Sequence, residues 1–374
     1  MTKEEFEVTA YDVKGTVDYD KLVHEFGVKH LDVPILNRLK AYTGELHHTL
    51  RRQHFFAHTN FDQILNALER KEKIYMYTGR APSGPIHIGH IFVWQFTKWL
   101  QDKFGCELIF QIPDEEKFFF KDNVTLEDTA KWTHENMLDI VALGFDLKKT
   151  KFLIDTRDAG VMYKTACQIA KKTTASTVRA LFGLKNEDNV GKYFYTMMQS
   201  VPAFLPTVIE GKPTLCLIPC AVDQDVHFRL TRDVAERLGY PKPSTILSKF
   251  LPSLSAESKM SASADIGIWT TDDAKEVERK IKKYAFSGGR DTIEEHRKLG
   301  GNPDIDVSFQ WLSMMFEPDD HKLASIRDDY KAGKLLSGEL KQILIGKINA
   351  FLAEHQKKRE QARPIVEKLL KQPF

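Results

Sequence analysis

The sequence predicts an α/β fold, a doubly wound parallel sheet with a helical insertion, followed by an all-helical C-terminal domain. Three observations predict it. From Ile74 onward, short apolar runs alternate with helical stretches that stop at a glycine. Residues 157–213 interrupt that alternation with largely helical sequence. Beyond about residue 264 the β-branched apolar runs end and only helical patterning continues. The expected division is an N-terminal extension of hairpin and helices over 1–75, a sheet-bearing domain over 76–263, and a helical domain over 264–374.

The elements follow in chain order. Lys14-Gly15 is expected to turn a short hairpin. Pro34 suits the first turn of a helix that Gly44 stops. Thr59 or Asn60 is placed to cap a helix through Asp62–Glu69. The run Ile74, Tyr75, Met76, Tyr77 reads as a strand. After it, Phe92, Phe96, Leu100 and Phe104 recur at steps of four, giving a helix that ends at Gly105. Leu108–Ile112 is strand-like. Leu126, Ala130, Met137 and Val141 mark a helix ending at Gly144, and Phe152-Leu153-Ile154 is the next strand. Leu215–Ala221 reads as a buried strand, followed by a helix to Gly239, with Pro241 and Pro243 beyond.

Composition narrows the function classes. With 374 residues, 42% of them hydrophobic, the chain can bury a sizeable core. No apolar run approaches the roughly 18 residues needed to span a membrane. The start, Met1 to Val8, is acidic and lacks a signal-peptide core. Of Cys106, Cys167, Cys216 and Cys220, only the last two lie close, as C-x3-C without a second pair. That spacing favours reduced thiols in a cytosolic setting over structural zinc. Net charge is only +2, but 12 Lys/Arg face 6 Asp/Glu between His321 and Phe374. This basic segment suits either a polyanion or a solvated helical face. His47, His48, His54 and His58 crowd one region, yet no cysteine joins them and Arg51 and Arg52 would repel a cation. No metal site is expected.

The chemistry concentrates in Pro82-Ser83-Gly84-Pro85-Ile86-His87-Ile88-Gly89-His90. A strand, a Pro/Gly turn and a helix start place free backbone N–H groups and a positive dipole end where a phosphate can sit. Gly89 lets a ligand approach the backbone, and His87 and His90 can donate to phosphate oxygens. Taken alone, the stretch fits either a phosphate site or a structural helix start with two partly buried histidines. Lys259-Met260-Ser261-Ala262-Ser263 follows a loop containing Pro252, Ser253 and Ser255. Its lysine suits charge developing on a leaving pyrophosphate, and its hydroxyls can bond phosphate oxygens.

Together these motifs resemble the two signatures of class I aminoacyl-tRNA synthetases. Tyr77–Arg80, Gln111–Lys117, Ile218–Asp225, Ala285–Thr292, Asp18–Leu22 and Leu50–Arg52 are similar to the eukaryotic-type tryptophanyl-tRNA synthetases over nearly the whole chain. One departure is Ala262, where the usual class I motif has a second lysine. The eukaryotic-type tryptophan enzymes look alike in this. The resemblance implies a Rossmann-like sheet and ATP-dependent activation of L-tryptophan to its adenylate, with transfer to tRNA(Trp). It implies His87, His90, Lys259 and Ser261 as catalytic residues, and Gly79, Arg80, Gly89, Lys117 and Met260 as ATP contacts. It gives Tyr77 and Gln111 to the indole N–H, and Glu116, Gln199 and Gln224 to the α-amino group. Tyr195 and Cys220 become pocket walls. ATP is expected with Mg2+ as a substrate complex and with no tightly bound metal. A cytoplasmic homodimer paired through 157–213 is also implied. The helical 264–374 region would hold the anticodon end, where Arg290 and Asp291 are either base contacts or an interhelical ion pair. The alternatives are a tyrosyl-tRNA synthetase, disfavoured by the amide of Gln111, and a non-catalytic paralogue, disfavoured by the intact His87, His90 and Lys259.

Overall fold

The computed structural model describes residues 18–255 and 266–374, together with the backbone of Glu7–Val8 and Val13–Lys14. Those two pairs are strands β1 (Glu7–Val8) and β2 (Val13–Lys14), antiparallel with Glu7 opposite Lys14. Of the expected Lys14-Gly15 turn, Gly15 lies outside the described residues. Lys14 is itself in the second strand, where β-branched Val13 pairs with Val8.

Seven further strands form the main sheet: β3 (Lys29–His30), β4 (Phe55–Thr59), β5 (Ile74–Gly79), β6 (Glu107–Ile112), β7 (Thr150–Ile154), β8 (Leu215–Ala221) and β9 (Ser244–Ser248). Their spatial order is β3-β4-β9-β8-β5-β6-β7. The five from β9 to β7 are mutually parallel, as expected. At one edge β4 and β3 extend the sheet antiparallel, so it is parallel in its body and mixed at its margin.

Alternate residues of the strands feed two apolar clusters. Met76, Leu108, Phe110 and Leu217 face one cluster, and Tyr75, Tyr77, Ile109 and Ile218 face the other. Burial on both faces is what a parallel sheet covered by helices requires, and it explains the continuous apolar runs. The helices Ile88–Phe104 and Leu126–Ala142 cover the first face. Ala159–Lys171, Val190–Ser200 and Asp225–Leu238 cover the second. The first cluster continues without a break into the C-terminal helices through Val307, Trp311, Leu340, Leu344 and Ile348. The 34-residue helix Ser337–Leu370 lies against Leu126–Ala142, joined by His355 to Asp139 at 2.9 Å and by the Arg359–Glu135 ion pair.

Pro34 does sit in the first turn of the helix Val33–Thr43, and Gly44 ends it at φ +80°. The helix Phe61–Glu69 starts after Asn60, but that side chain makes no capping bond. Nδ1 of His58 accepts the Phe61 N–H instead, at 3.2 Å.

His58 is thereby separated from the other three histidines. His47 packs on Phe96 and Trp99, Nε2 of His48 meets the Met314 carbonyl at 3.2 Å, and Nε2 of His54 meets Oγ of Ser313 at 2.9 Å. Burial is the main cause that lowers their pKa values, to about 3 for His47, about 4 for His48 and about 3 for His54, with Arg52 adding repulsion. The unfolded chain binds protons at these rings near pH 6.5 and the folded chain does not. Stability is therefore full above about pH 6.5 and drains as pH falls toward about 3. The urea midpoint is expected to drop between pH 7.5 and pH 5. A His54→Gln variant, still able to bond Ser313, should show a smaller drop; an unchanged drop would remove His54 from the effect.

Candidate active site

The chain runs outward from β5 to β6 to β7, then returns to the opposite side of β5 for β8 and β9. Ligands of open α/β sheets bind at such a reversal, outside the carboxyl ends of the strands. A cavity of about 470 Å³ lies there. Thirteen residues singled out in the sequence line it together: Tyr77, Gly79, Arg80, His87, Gly89, His90, Gln111, Glu116, Lys117, Tyr195, Gln199, Cys220 and Gln224. Lys259, Met260 and Ser261 lie outside the described residues. Arg290 and Asp291 lie away from the cavity, exposed after the helix Ala274–Tyr284; Nε of Arg290 donates to the Gly300 carbonyl at 3.1 Å rather than to a carboxylate.

One end of the cavity is cationic. His87 precedes the helix Ile88–Phe104, and its backbone N–H donates to Nδ1 of His90 at 3.4 Å. The two rings stand 3.7 Å apart, and Trp94 stacks on His90 from the next turn. Burial, with Arg80 and His87 beside it, holds His90 well below the usual histidine range. Its ring is neutral near pH 7, and because Nδ1 accepts, the proton sits on Nε2 as a donor. Arg80 has Nε and one Nη buried without an acceptor. Burial lowers its pKa only to about 10, so it keeps its charge. Two unpaired guanidinium N–H donors beside a helix N-terminus suit phosphate oxygens. Gly79 has a packing reason before any ligand is considered: a Cβ there would stand 3.0 Å from the Gln111 carbonyl on the adjacent strand.

The other end is a buried polar chain. The Tyr77 hydroxyl donates to Oε1 of Gln111 at 2.5 Å, and Nε2 of Gln111 donates to Oδ2 of Asp155 at 2.7 Å. Nε2 of Gln199 reaches the Tyr77 hydroxyl at 3.4 Å, and the Tyr195 hydroxyl bonds both Gln199 and, at 2.8 Å, Oε2 of Glu116. Lys117 Nζ sits 2.5 Å from Oε1 of Glu116. Burial alone would raise the Glu116 carboxyl, but Lys117 and the Tyr195 hydroxyl bring it below the ordinary value. It is thus an anion already holding one ammonium. Burial pushes the Cys220 thiol up, so it remains a neutral wall.

The sequence reading missed Asp155, the buried partner of Gln111, and His227, which lines the cavity and is lowered to about 4 chiefly by burial. Asp155 follows a strand end, where an aspartate ordinarily reads as a turn residue. The one signal for His227 was its place on the helix three residues past Gln224.

The stretch after the Lys259 motif is anchored on the first motif. Trp269 bridges His87, the Ile88 N–H donates to the Ile268 carbonyl at 3.1 Å, and the Thr270 N–H to the Ile86 carbonyl at 2.9 Å. Lys280, buried in an ion pair with Asp272 at 2.7 Å, also bonds the Gly267 carbonyl. Before the motif, Lys249, Phe250 and Leu251 line the cavity.

The chain is similar to proteins of one kind over nearly its whole length. It is 51% identical over 366 residues to the tryptophan–tRNA ligase of Sulfolobus acidocaldarius, which covers 97% of this chain and 94% of that one. The crystal structure of Plasmodium falciparum tryptophanyl-tRNA synthetase superposes with TM-score 0.86 at 38% identity, covering 92% of each chain. The tryptophan-bound Encephalitozoon cuniculi tryptophanyl-tRNA synthetase gives TM-score 0.86 at 34% identity, over 95% of this chain and 97% of that one. The family model of tRNA synthetases class I (W and Y) matches residues 69–353, and the chain belongs to that family.

Proposed function

We propose that this chain is a ligase that activates L-tryptophan with ATP and transfers it to tRNA(Trp). The observation that carries this is the buried Tyr77–Gln111 pair at the reversal of the sheet. Tryptophan differs from other large apolar side chains by one indole N–H, whose burial without an acceptor would cost about 1–3 kcal/mol. Oε1 of Gln111, already accepting from Tyr77, has a second lone pair to offer it. A tyrosine pocket would want a carboxylate for the phenol; Asp155 is bonded behind Gln111 and does not line the cavity.

In the first step the tryptophan carboxylate, ionised near neutral pH, attacks the α-phosphorus of ATP and pyrophosphate leaves. The protein's work is orientation and charge stabilisation. Glu116 takes the α-ammonium, with Gln199 and Gln224 beside it. Arg80, Nε2 of His90, His87 and the helix start receive phosphate oxygens, and Gly79 and Gly89 leave room for adenosine and phosphate. Lys259, Met260 and Ser261 complete the phosphate end, a reading supported by the flanks of their segment standing at the cavity and on His87. Magnesium enters as part of the ATP substrate. In the second step the terminal adenosine of the tRNA takes the tryptophanyl group.

The domain reading assigns 1–75 to the extension, 76–263 to catalysis and 264–374 to the anticodon end, with Arg290 and Asp291 as base contacts. We place the enzyme in the cytoplasm as a homodimer. No helix of the described residues is long and apolar enough to cross a membrane. Val161, Tyr163, Val190, Phe194, Val208 and Ile209 expose apolar surface on the 157–213 helices, which suits a second copy.

ATP–pyrophosphate exchange measured with tryptophan, tyrosine or no amino acid tests the function. Tryptophan alone is expected to support exchange. Equal exchange with tyrosine, or none with tryptophan, would overturn the reading.

A further inference from the structure

We propose that Asp155 is a positioning residue that sets tryptophan specificity, by holding the Gln111 amide with its oxygen toward the indole N–H. The proposal rests on the reading of Tyr77 and Gln111 as the indole site. A glutamine amide has two orientations of nearly equal shape, and only one presents an acceptor. With the amide reversed, its NH2 would face the indole N–H, donor against donor, and the pocket would welcome an analogue that lacks the N–H.

Gln111 is wholly buried and Asp155 nearly so, which makes an error in the polarity of the amide costly. Oδ2 of Asp155 accepts from Nε2 of Gln111 at 2.7 Å, which directs Oε1 to Tyr77. The Asp155 backbone is pinned as well, its N–H donating to the Ile112 carbonyl at 3.2 Å, at the end of the strand that carries Gln111. The other oxygen, Oδ1, has no conventional donor, and neither have the two oxygens of the buried Glu115. These carboxyl groups face one another, and burial raises both; Glu115 and Asp114 add repulsion at Asp155, and Asp114 and Glu116 add it at Glu115. One proton shared between a Glu115 oxygen and Oδ1 of Asp155 gives each carboxyl a partner and leaves Oδ2 an acceptor. The chain of bonds then runs in a single direction, from the Tyr77 hydroxyl to Gln111 and from Gln111 to Asp155.

The test compares kcat/KM in pyrophosphate exchange for tryptophan and for β-(3-benzothienyl)alanine, in which sulfur replaces the indole N–H. Asp155→Ala is expected to lower the preference for tryptophan at least about tenfold, as is Gln111→Ala. Asp155→Asn should keep it within about threefold. Its new amide can donate to a Glu115 carboxyl oxygen on one side, which presents its own oxygen to Gln111 on the other. Melting curves check that each variant is folded. If Asp155→Ala does not fold, the isosteric double variant Asp155→Asn/Glu115→Gln takes its place, because its amides can run in either direction and should lose the preference. Unchanged preference in Gln111→Ala would overturn the indole reading itself. Lost preference in Gln111→Ala, with wild-type preference in the folded Asp155→Ala or double variant, would overturn the role of Asp155 alone.

Discussion

Lys259→Ala lowers tryptophan-dependent ATP–pyrophosphate exchange by about 10²–10³-fold and leaves the tryptophan Kd within about threefold. The effect falls on rate because the charge Lys259 would meet is developed only as pyrophosphate departs; a group that binds the transition state and not the amino acid changes turnover selectively. Removing one such electrostatic contact typically costs about 2.7–4 kcal/mol. No second lysine is at hand in the motif, since Ala262 occupies that place. Of the cations lining the described cavity, Lys117 is engaged by Glu116 at 2.5 Å, whereas Arg80 keeps two N–H donors without acceptors. Stopped-flow adenylation with equilibrium binding of tryptophan separates the two quantities. Exchange within threefold of wild type would transfer the role of Lys259 to Arg80.

Asp225→Ala destabilises the fold by about 3–5 kcal/mol. Asp225 is fully buried at the start of the helix Asp225–Leu238, and Arg232 grips both its oxygens at 3.0 and 2.8 Å. Arg229 stands 3.6 Å away, and Oγ1 of Thr245 in β9 donates to the same carboxylate at 3.4 Å. Alanine would leave the largely buried guanidinium of Arg232 without its counter-charge and unfasten the helix from the sheet. Gln224 directly precedes Asp225 and His227 lies in the first turn of the same helix, and both line the cavity, so KM for tryptophan should rise as well. Urea denaturation gives the loss of stability, and Asp225→Asn, which keeps the shape without the charge, should lose less. A midpoint for Asp225→Ala equal to wild type would show that the pair contributes nothing net.

Much of the cavity could be read from residue order because its chemistry is strung along β5, β6, β8 and the turns at their carboxyl ends. Pro82, Gly84 and Gly89 punctuate the turn before the helix, and apolar runs mark strands buried on both faces. The strands that escaped notice lack that signature. In β4, Phe55–Thr59, the apolar run is only three residues long and ends in a histidine. In β9, Ser244–Ser248, three of five residues are hydroxyl-bearing, yet all are buried. Both are held by cross-strand pairing with each other, a long-range fact that local patterning does not carry. Asp155 was hidden for a related reason: its partner, Gln111, lies 44 positions earlier. The chemical reading of Gln111 found the acceptor but had no means to find what orients it.

The uninterrupted apolar cluster that joins the sheet to the C-terminal helices has a consequence for engineering. Met76 and Phe92 share it with Trp311, Leu344 and Ile348, so a cut near residue 264 or 284 would leave two greasy half-cores rather than two modules. Exchanging the C-terminal third for that of a relative would demand co-adapted packing across the seam, including the Asp139–His355 and Glu135–Arg359 contacts. On the proposed anticodon role of these helices, redesigning which tRNA is charged is better attempted by repainting their exposed face, residue by residue, than by grafting. Lineages carrying this architecture are likewise expected to vary their C-terminal helices in concert with the helix Leu126–Ala142, and not as an interchangeable cassette.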